Sequence, residues 1–169
     1  MPKSIGNLVN LRELKLDTND LRLIPEEIGK LHNLERLSLS NNFLDDLPKS
    51  FADLKQLKCL HLSNNRFEKL PQCIYELNLN TLDLTSNKLS KLERNITSLN
   101  KTLRIFSVYD NLITELDIWI KELNNLEQFW FGQNRIKVIP REITEIEKID
   151  WSQSYFSIIF ENNPIEKPP

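Results

Sequence analysis

The segment LERLSLSNNFLDDLP, residues 34–48, carries apolar side chains at positions 34, 37, 39, 43, 44 and 47, an asparagine at 42 and a proline at 48. Leu37 and Leu39 alternate, as residues on one face of a short strand do. Beyond Pro48 the next apolar residues, Phe51 and Leu54, stand three apart, the spacing of one face of a helical turn. A strand and a helical turn packed into so short a unit prompt a search for copies of it along the chain.

The copies are there. The same asparagine recurs as Asn19, Asn42, Asn65, Asn87, Asn111, Asn134 and Asn163, at spacings of 23, 23, 22, 24, 23 and 29 residues. Aligned on it, the chain reads LRELKLDTNDLRLIP, LERLSLSNNFLDDLP, LKCLHLSNNRFEKLP, LNTLDLTSNKLSKLE, LRIFSVYDNLITELD and LEQFWFGQNRIKVIP, followed by the degenerate YFSIIFENNPI. The consensus is LxxLxLxxNxL, continued by LPxxIxxLxxL, with Glu93 and Asp117 standing where the other repeats have proline.

Each position has a physical role. The two apolar residues of LxL point into the coil, and their neighbours point out. The asparagine amide offers both donors and an acceptor where the chain leaves the strand, so a stacked series of these amides is expected to form an internal ladder. Proline suits the first position of a helical turn, and the following apolar positions cover the core from outside.

This pattern resembles the leucine-rich repeat family. In its 23-residue form it is similar to the multi-repeat binding proteins of pathogenic bacteria and to the repeats of Ras-pathway scaffolds. The resemblance implies an α/β, right-handed solenoid with a concave parallel β-sheet, a convex wall of short helical or 3-10 segments, and a concave face that binds other proteins. It implies no particular ligand, because a repeat consensus describes packing rather than recognition.

A single domain over residues 1–169 is expected, with a partial repeat at 1–10 and repeats starting near residues 11, 34, 57, 79, 103, 126 and 155. MPKSIGNLVN matches only the helical half of a repeat, which reads either as an abbreviated cap or as a fragment of a longer protein. At the other end TEIEKIDWSQS delays the final repeat. There FSIIFE would form an apolar edge strand, and homo-oligomerisation through that edge is the alternative expectation for this chain.

The outward positions define the candidate binding surface. Between the two inward residues of successive strands lie Lys15, Ser38, His61, Asp83, Ser107, Trp130 and Ile159. One flanking column reads Glu13, Arg36, Cys59, Thr81, Ile105, Gln128 and Ser157, and the other Asp17, Ser40, Ser63, Thr85, Tyr109, Gly132 and Glu161. In FWFGQNRI, residues 129–136, strand alternation buries Phe129 and Phe131 and turns Trp130 outward. Ile105, Tyr109, Trp130 and Ile159 form an apolar group expected to anchor a partner, since exposed aromatic clusters mark interaction surfaces. Arg36, His61 and Asp83, with Glu13 and Lys15, are expected to tune specificity by charge. Two competing readings concern the tryptophans: WSQSYF could fold over Trp130, and the segment DIWI, where Asp117 replaces proline, suggests altered local packing around Trp119.

Composition narrows the class of activity. The net charge of −2 is spread among interspersed acids and bases, so no basic stripe suits nucleic acid. No apolar run is long enough to span a bilayer, MPKSIGNLVN lacks the apolar core of a signal peptide, and a soluble chain is expected. With three glycines there is no phosphate-binding loop, and Cys59 and Cys73 do not have metal-ligand spacing. Cys59 and His61 share the exposed face of one strand, but a dyad there would lack an oxyanion pocket and an orienting group, so neither catalysis, cofactor nor metal is expected.

Overall fold

The computed structural model describes residues 1–151, 158–159 (backbone) and 161–166. Seven strands form one parallel sheet in chain order: β1 (Glu13–Lys15), β2 (Arg36–Ser38), β3 (Cys59–His61), β4 (Thr81–Asp83), β5 (Ile105–Ser107), β6 (Gln128–Trp130) and β7 (Ile158–Ile159). The register aligns like with like. Leu14, Leu37, Leu60, Leu82, Phe106 and Phe129 run across the sheet as one inward row, and the backbone of Ile158 pairs in register with Phe129 at its end. Parallel neighbours joined by a crossover segment generate a right-handed solenoid.

The convex wall is made of 3-10 turns: η1 (Lys3–Asn7), η2 (Glu26–Lys30), η3 (Lys49–Asp53), η4 (Gln72–Glu76), η5 (Arg94–Leu99), η6 (Ile118–Glu122) and η7 (Arg141–Glu145). Proline sits one place earlier than the first helical position. Pro2, Pro25, Pro48, Pro71 and Pro140 are N-caps in extended conformation, and their carbonyls accept the first turn's bond, as Pro25 does from Ile28 N at 3.1 Å. Glu93 and Asp117 do the same work with φ of −97° and −83°, their carbonyls accepting from Ile96 and Ile120. The backbone at Asp117 is therefore ordinary. Ile118 is exposed and Trp119 lies half-buried against the core, the same exposure that Glu26 and Glu27 or Arg141 and Glu142 have in proline-containing repeats. No helix among the described residues is long and apolar enough to cross a membrane.

The core is a continuous stack of side chains from both walls. Leucine dominates through β4; thereafter Phe106 and Phe129 stack with ring centroids 5.5 Å apart and planes 8° from parallel, and Phe131 tilts against Phe129 at 4.9 Å. The expected asparagine ladder is present, and its rungs are backbone groups rather than other amides. Asn65 Nδ2 donates to Leu39 O at 2.9 Å in the preceding repeat and to Leu62 O at 3.1 Å in its own, while its Oδ1 accepts from Leu44 N at 3.0 Å. Asn42, Asn87, Asn111 and Asn134 repeat this arrangement, so each buried amide ties two successive coils together. Asn19 bonds only within its own turn, to Leu16 O and Asp17 O.

One backbone feature escapes the repeat consensus. The residue before each ladder asparagine has positive φ, from 50° at Gln133 to 57° at Thr18. Asn41, Asn64, Asp110 and Asn162 tolerate this left-handed conformation well; Thr18, Ser86 and Gln133 do so at some cost. The turn is what aims the asparagine back into the coil. Close approach on the convex side explains a glycine: a Cβ on Gly29 would lie 2.5 Å from Ser50 O.

Candidate functional site

The concave face presents the outward residues of the strands, and pairing in register assembles them into columns. Lys15, Ser38, His61, Asp83, Ser107, Trp130 and Ile159 are successive partners along the central column. Glu13, Arg36, Cys59, Thr81, Ile105 and Gln128 form the first. Ser157 and the side chain of Ile159 lie outside the described residues, as does most of FSIIFE; so does residue stretch 152–157, on which the possible covering of Trp130 depends.

The N-terminal part of this face is knitted together by polar side chains. Glu13 and Lys15 pair at 3.0 Å at the exposed end. Asp17 Oδ1 accepts from Ser38 Oγ and from Ser40 N at 2.8 Å, and Ser63 Oγ donates to Ser40 Oγ at 2.9 Å. At the middle, His61 Nδ1 lies 3.8 Å from Asp83 Oδ2, and the other Asp83 oxygen accepts from Thr85 N at 2.9 Å. The Asp83 carboxylate raises the His61 pKa above its ordinary value against the opposing effect of burial, and Asp17 adds to the rise. Burial pushes Asp83 upward, but the His61 and Thr85 bonds outweigh it and hold the carboxyl below its usual range.

The C-terminal part is aromatic. Phe129 and Phe131 are fully buried and Trp130 is turned outward, as alternation requires. Trp130 is nevertheless half-buried, and its Nε1 is wholly buried with no acceptor. Ser107 is 3% exposed and Gly132 is buried, although both occupy outward positions. Tyr109 sits diagonally from Trp130 on the neighbouring strand. Its hydroxyl donates to Glu161 Oε1 at 3.1 Å and accepts from Gln133 Nε2 at 2.7 Å, a clamp reaching across two repeats. Burial and the Glu161 carboxylate raise its pKa. Ile105, half-buried in the first column, borders this patch.

Thus His61 and Asp83 are brought together, Tyr109 and Trp130 share one region, and Arg36 stands apart and exposed on β2. Sequence reasoning gave Glu161 a column position without a role and did not identify Gln133. The signal for Glu161 was its placement two repeats beyond Tyr109 in the same column; nothing in the sequence marked Gln133, which lies at a positive-φ turn. Cys59 is half-exposed next to this surface, whereas burial, reinforced by Asp46, pushes the Cys73 thiol up to about 12. Among the described residues no cluster of three or more His, Cys, Asp or Glu is arranged to hold a metal.

Residues 2–78 match the family model of a leucine-rich repeat region. A leucine-rich repeat protein of Leptospira interrogans has the same fold with a TM-score of 0.90 and 34% identity, over 98% of this chain and 41% of that one. This chain is a leucine-rich repeat protein. A TDR receptor matches with a TM-score of 0.78 and 27% identity over 96% of this leucine-rich repeat chain and 28% of the receptor. PEPR1–AtPEP1 matches at 0.76 and 26%, over 96% and 23% respectively. The chain therefore spans about two fifths of the Leptospira protein and less than a third of the other two. No curated protein sequence matches it. The fold commonly mediates protein–protein interaction and generally serves as a non-catalytic scaffold.

Proposed function

We propose that residues 1–169 act as one non-catalytic binding domain that holds a protein partner on the concave face. The apolar anchors are Ile105, Tyr109, Trp130 and Ile159, and Arg36, His61 and Asp83 supply the polar complement. The observation that carries this reading is the aromatic patch itself. Tyr109 and Trp130 stand on an open sheet face that is otherwise paved with small polar and charged side chains, and the indole N–H within it has no acceptor. Aromatic residues surrounded by a polar rim are the usual composition of an interaction hot spot.

The test is affinity capture from a cell extract with the wild-type chain and a Tyr109→Ala, Trp130→Ala double variant whose fold is checked by circular dichroism. A partner that uses the patch is retained by the first and lost by the second. Equal capture by both would overturn the reading. A second reading is favoured by β7, which pairs with β6 on one side only among the described residues: association of copies through that edge. Light scattering over a concentration series separates the two, because a partner-binding monomer keeps its mass.

A further inference from the structure

The first coil presents an open apolar end. Ile5, Leu8, Leu11, Leu14, Leu16 and Leu21 are only partly covered there, and Leu8 is 50% exposed, whereas the corresponding six side chains of the next coil, from Ile28 to Leu44, are at most 1% exposed. Asn19 marks the same end. Its Nδ2 bonds only its own turn, and among the described residues no N–H of a neighbouring coil reaches its Oδ1, while Asn42 Oδ1 accepts from Leu21 N at 3.0 Å. A capping coil turns a polar face outward, and this one presents leucine. β1 is also an edge of the sheet. Arg36 N donates to Arg12 O at 3.0 Å and Ser38 O accepts from Leu16 N at 2.8 Å, so residues 36 and 38 of β2 turn their backbone groups towards β1. The equivalent groups of β1, on Glu13 and Lys15, point to the open side, with no partner strand among the described residues.

From the charges on this edge we infer that its occupant is the same end of a second copy of the chain. About a two-fold axis through Leu14, perpendicular to the sheet, β1 meets its own copy antiparallel, with Glu13 of each copy opposite Lys15 of the other. Both residues carry open-side backbone groups, so each of the two pairs is of the hydrogen-bonded kind and closes two N–H to C=O bonds. The side chains match as well. Opposite charges face each other in both pairs, whereas centring the axis on Glu13 or on Lys15 would set like charges opposite. The contact between Glu13 and Lys15 within one copy, at 3.0 Å and exposed to solvent, is readily exchanged for contacts between copies. A lone charge blunts an edge strand, but an acid and a base two places apart complement themselves under a two-fold axis. Behind the strands the same axis brings the open ends of the two cores together, leucine against leucine. The two sheets then continue one another, with both concave faces open on the same side.

The test is analytical ultracentrifugation of the intact chain over a concentration series, in which the 20.0 kDa monomer should give way to a dimer, the closed assembly that a two-fold contact makes. Glu13→Lys and Lys15→Glu each turn both cross-strand pairs from attractive to repulsive, and each should weaken the dimer about tenfold. Mixing the two variants should restore it as a heterodimer, since one copy then brings two lysines to the contact and the other two glutamates. Damage to the fold by either substitution would not be repaired by mixing. Leu8→Gln, at a half-exposed position, should weaken the dimer several-fold with an unchanged circular dichroism spectrum. A chain that stays monomeric at every concentration would overturn the inference. So would a dimer that ignores both charge reversals, and that result would place the contact elsewhere, with the β7 edge as the next to examine.

Discussion

The two ends of the concave sheet share one backbone and differ in chemistry. From β1 to β4 the inward row is leucine and the outward columns are small or charged residues tied to one another by hydroxyls and carboxylates. At β5 and β6 the inward row becomes stacked phenylalanine and the outward residues become Ile105, Tyr109 and Trp130. Strand register, the 3-10 turns and the asparagine bonds are the same in both halves. Because backbone and amide bonds hold the coil, outward side chains vary without disturbing it. The proposed recognition surface can therefore differ from repeat to repeat while the inward row and the asparagine bonds stay the same.

That separation can be broken by experiment. The largest effect belongs to the inward row: Phe129→Ala removes a ring stacked on Phe106 and touching Phe131, and should cost about 3–5 kcal/mol in urea unfolding. Next, Asn111→Ala strips donors from Leu84 O and Val108 O and an acceptor from Leu89 N, all buried, for a loss of about 3 kcal/mol. Asn19→Ala, whose amide bonds only its own exposed turn, should cost less than about 1 kcal/mol by the same measurement. Equal costs at 19 and 111 would mean that the inter-repeat bonds contribute little.

Trp130→Ala should separate recognition from stability, weakening partner binding by about 2 kcal/mol while unfolding shifts by no more than about 1 kcal/mol. A large loss of stability would show that the ring is structural. The smallest effect lies in the polar half. His61 has a raised folded pKa, so its contribution is complete below its ordinary value of 6.5 and disappears as pH rises through the higher folded value. Asp83 has a lowered one, so its share is present above 3.8 and disappears as pH falls through the lower folded value. The pair should therefore stabilise most between those two ordinary values, by less than about 1 kcal/mol given its exposure to solvent. Asp83→Asn should flatten that part of the stability profile, and NMR titration should return the His61 pKa towards its ordinary value.

Much of this was legible in the sequence. Periodicity located every strand, aligned the columns and predicted that Phe129 and Phe131 face in while Trp130 faces out, because side chains alternate strictly in a strand. The asparagines announced the bonds that join coils, since a short amide offers two donor hydrogens and an acceptor oxygen to backbone groups at that turn. Less legible was how the aromatic end is finished. The clamp of Tyr109 between Glu161 and Gln133 depends on rotamers reaching across repeats, and the burial of Ser107 and Gly132 does not follow from their outward positions. The altered packing expected at Asp117 did not follow, because the N-cap requires an extended residue and a carbonyl, which aspartate supplies as well as proline.

By itself, then, the sequence determined the coil: a period near 23 residues with LxL and asparagine admits one way to bury its apolar face, stacked on copies of itself. Tertiary structure alone decided which outward groups satisfy one another and which are left over. His61 finds Asp83 and Asp17 finds Ser38 and Ser40, while Arg36 and the Trp130 indole N–H find nothing. The physical reason is that burial of a repeating apolar face depends on periodicity, which one dimension records. Pairing of polar groups depends on distances of about 3 Å between atoms some twenty residues apart, and these exist only once the coils have stacked.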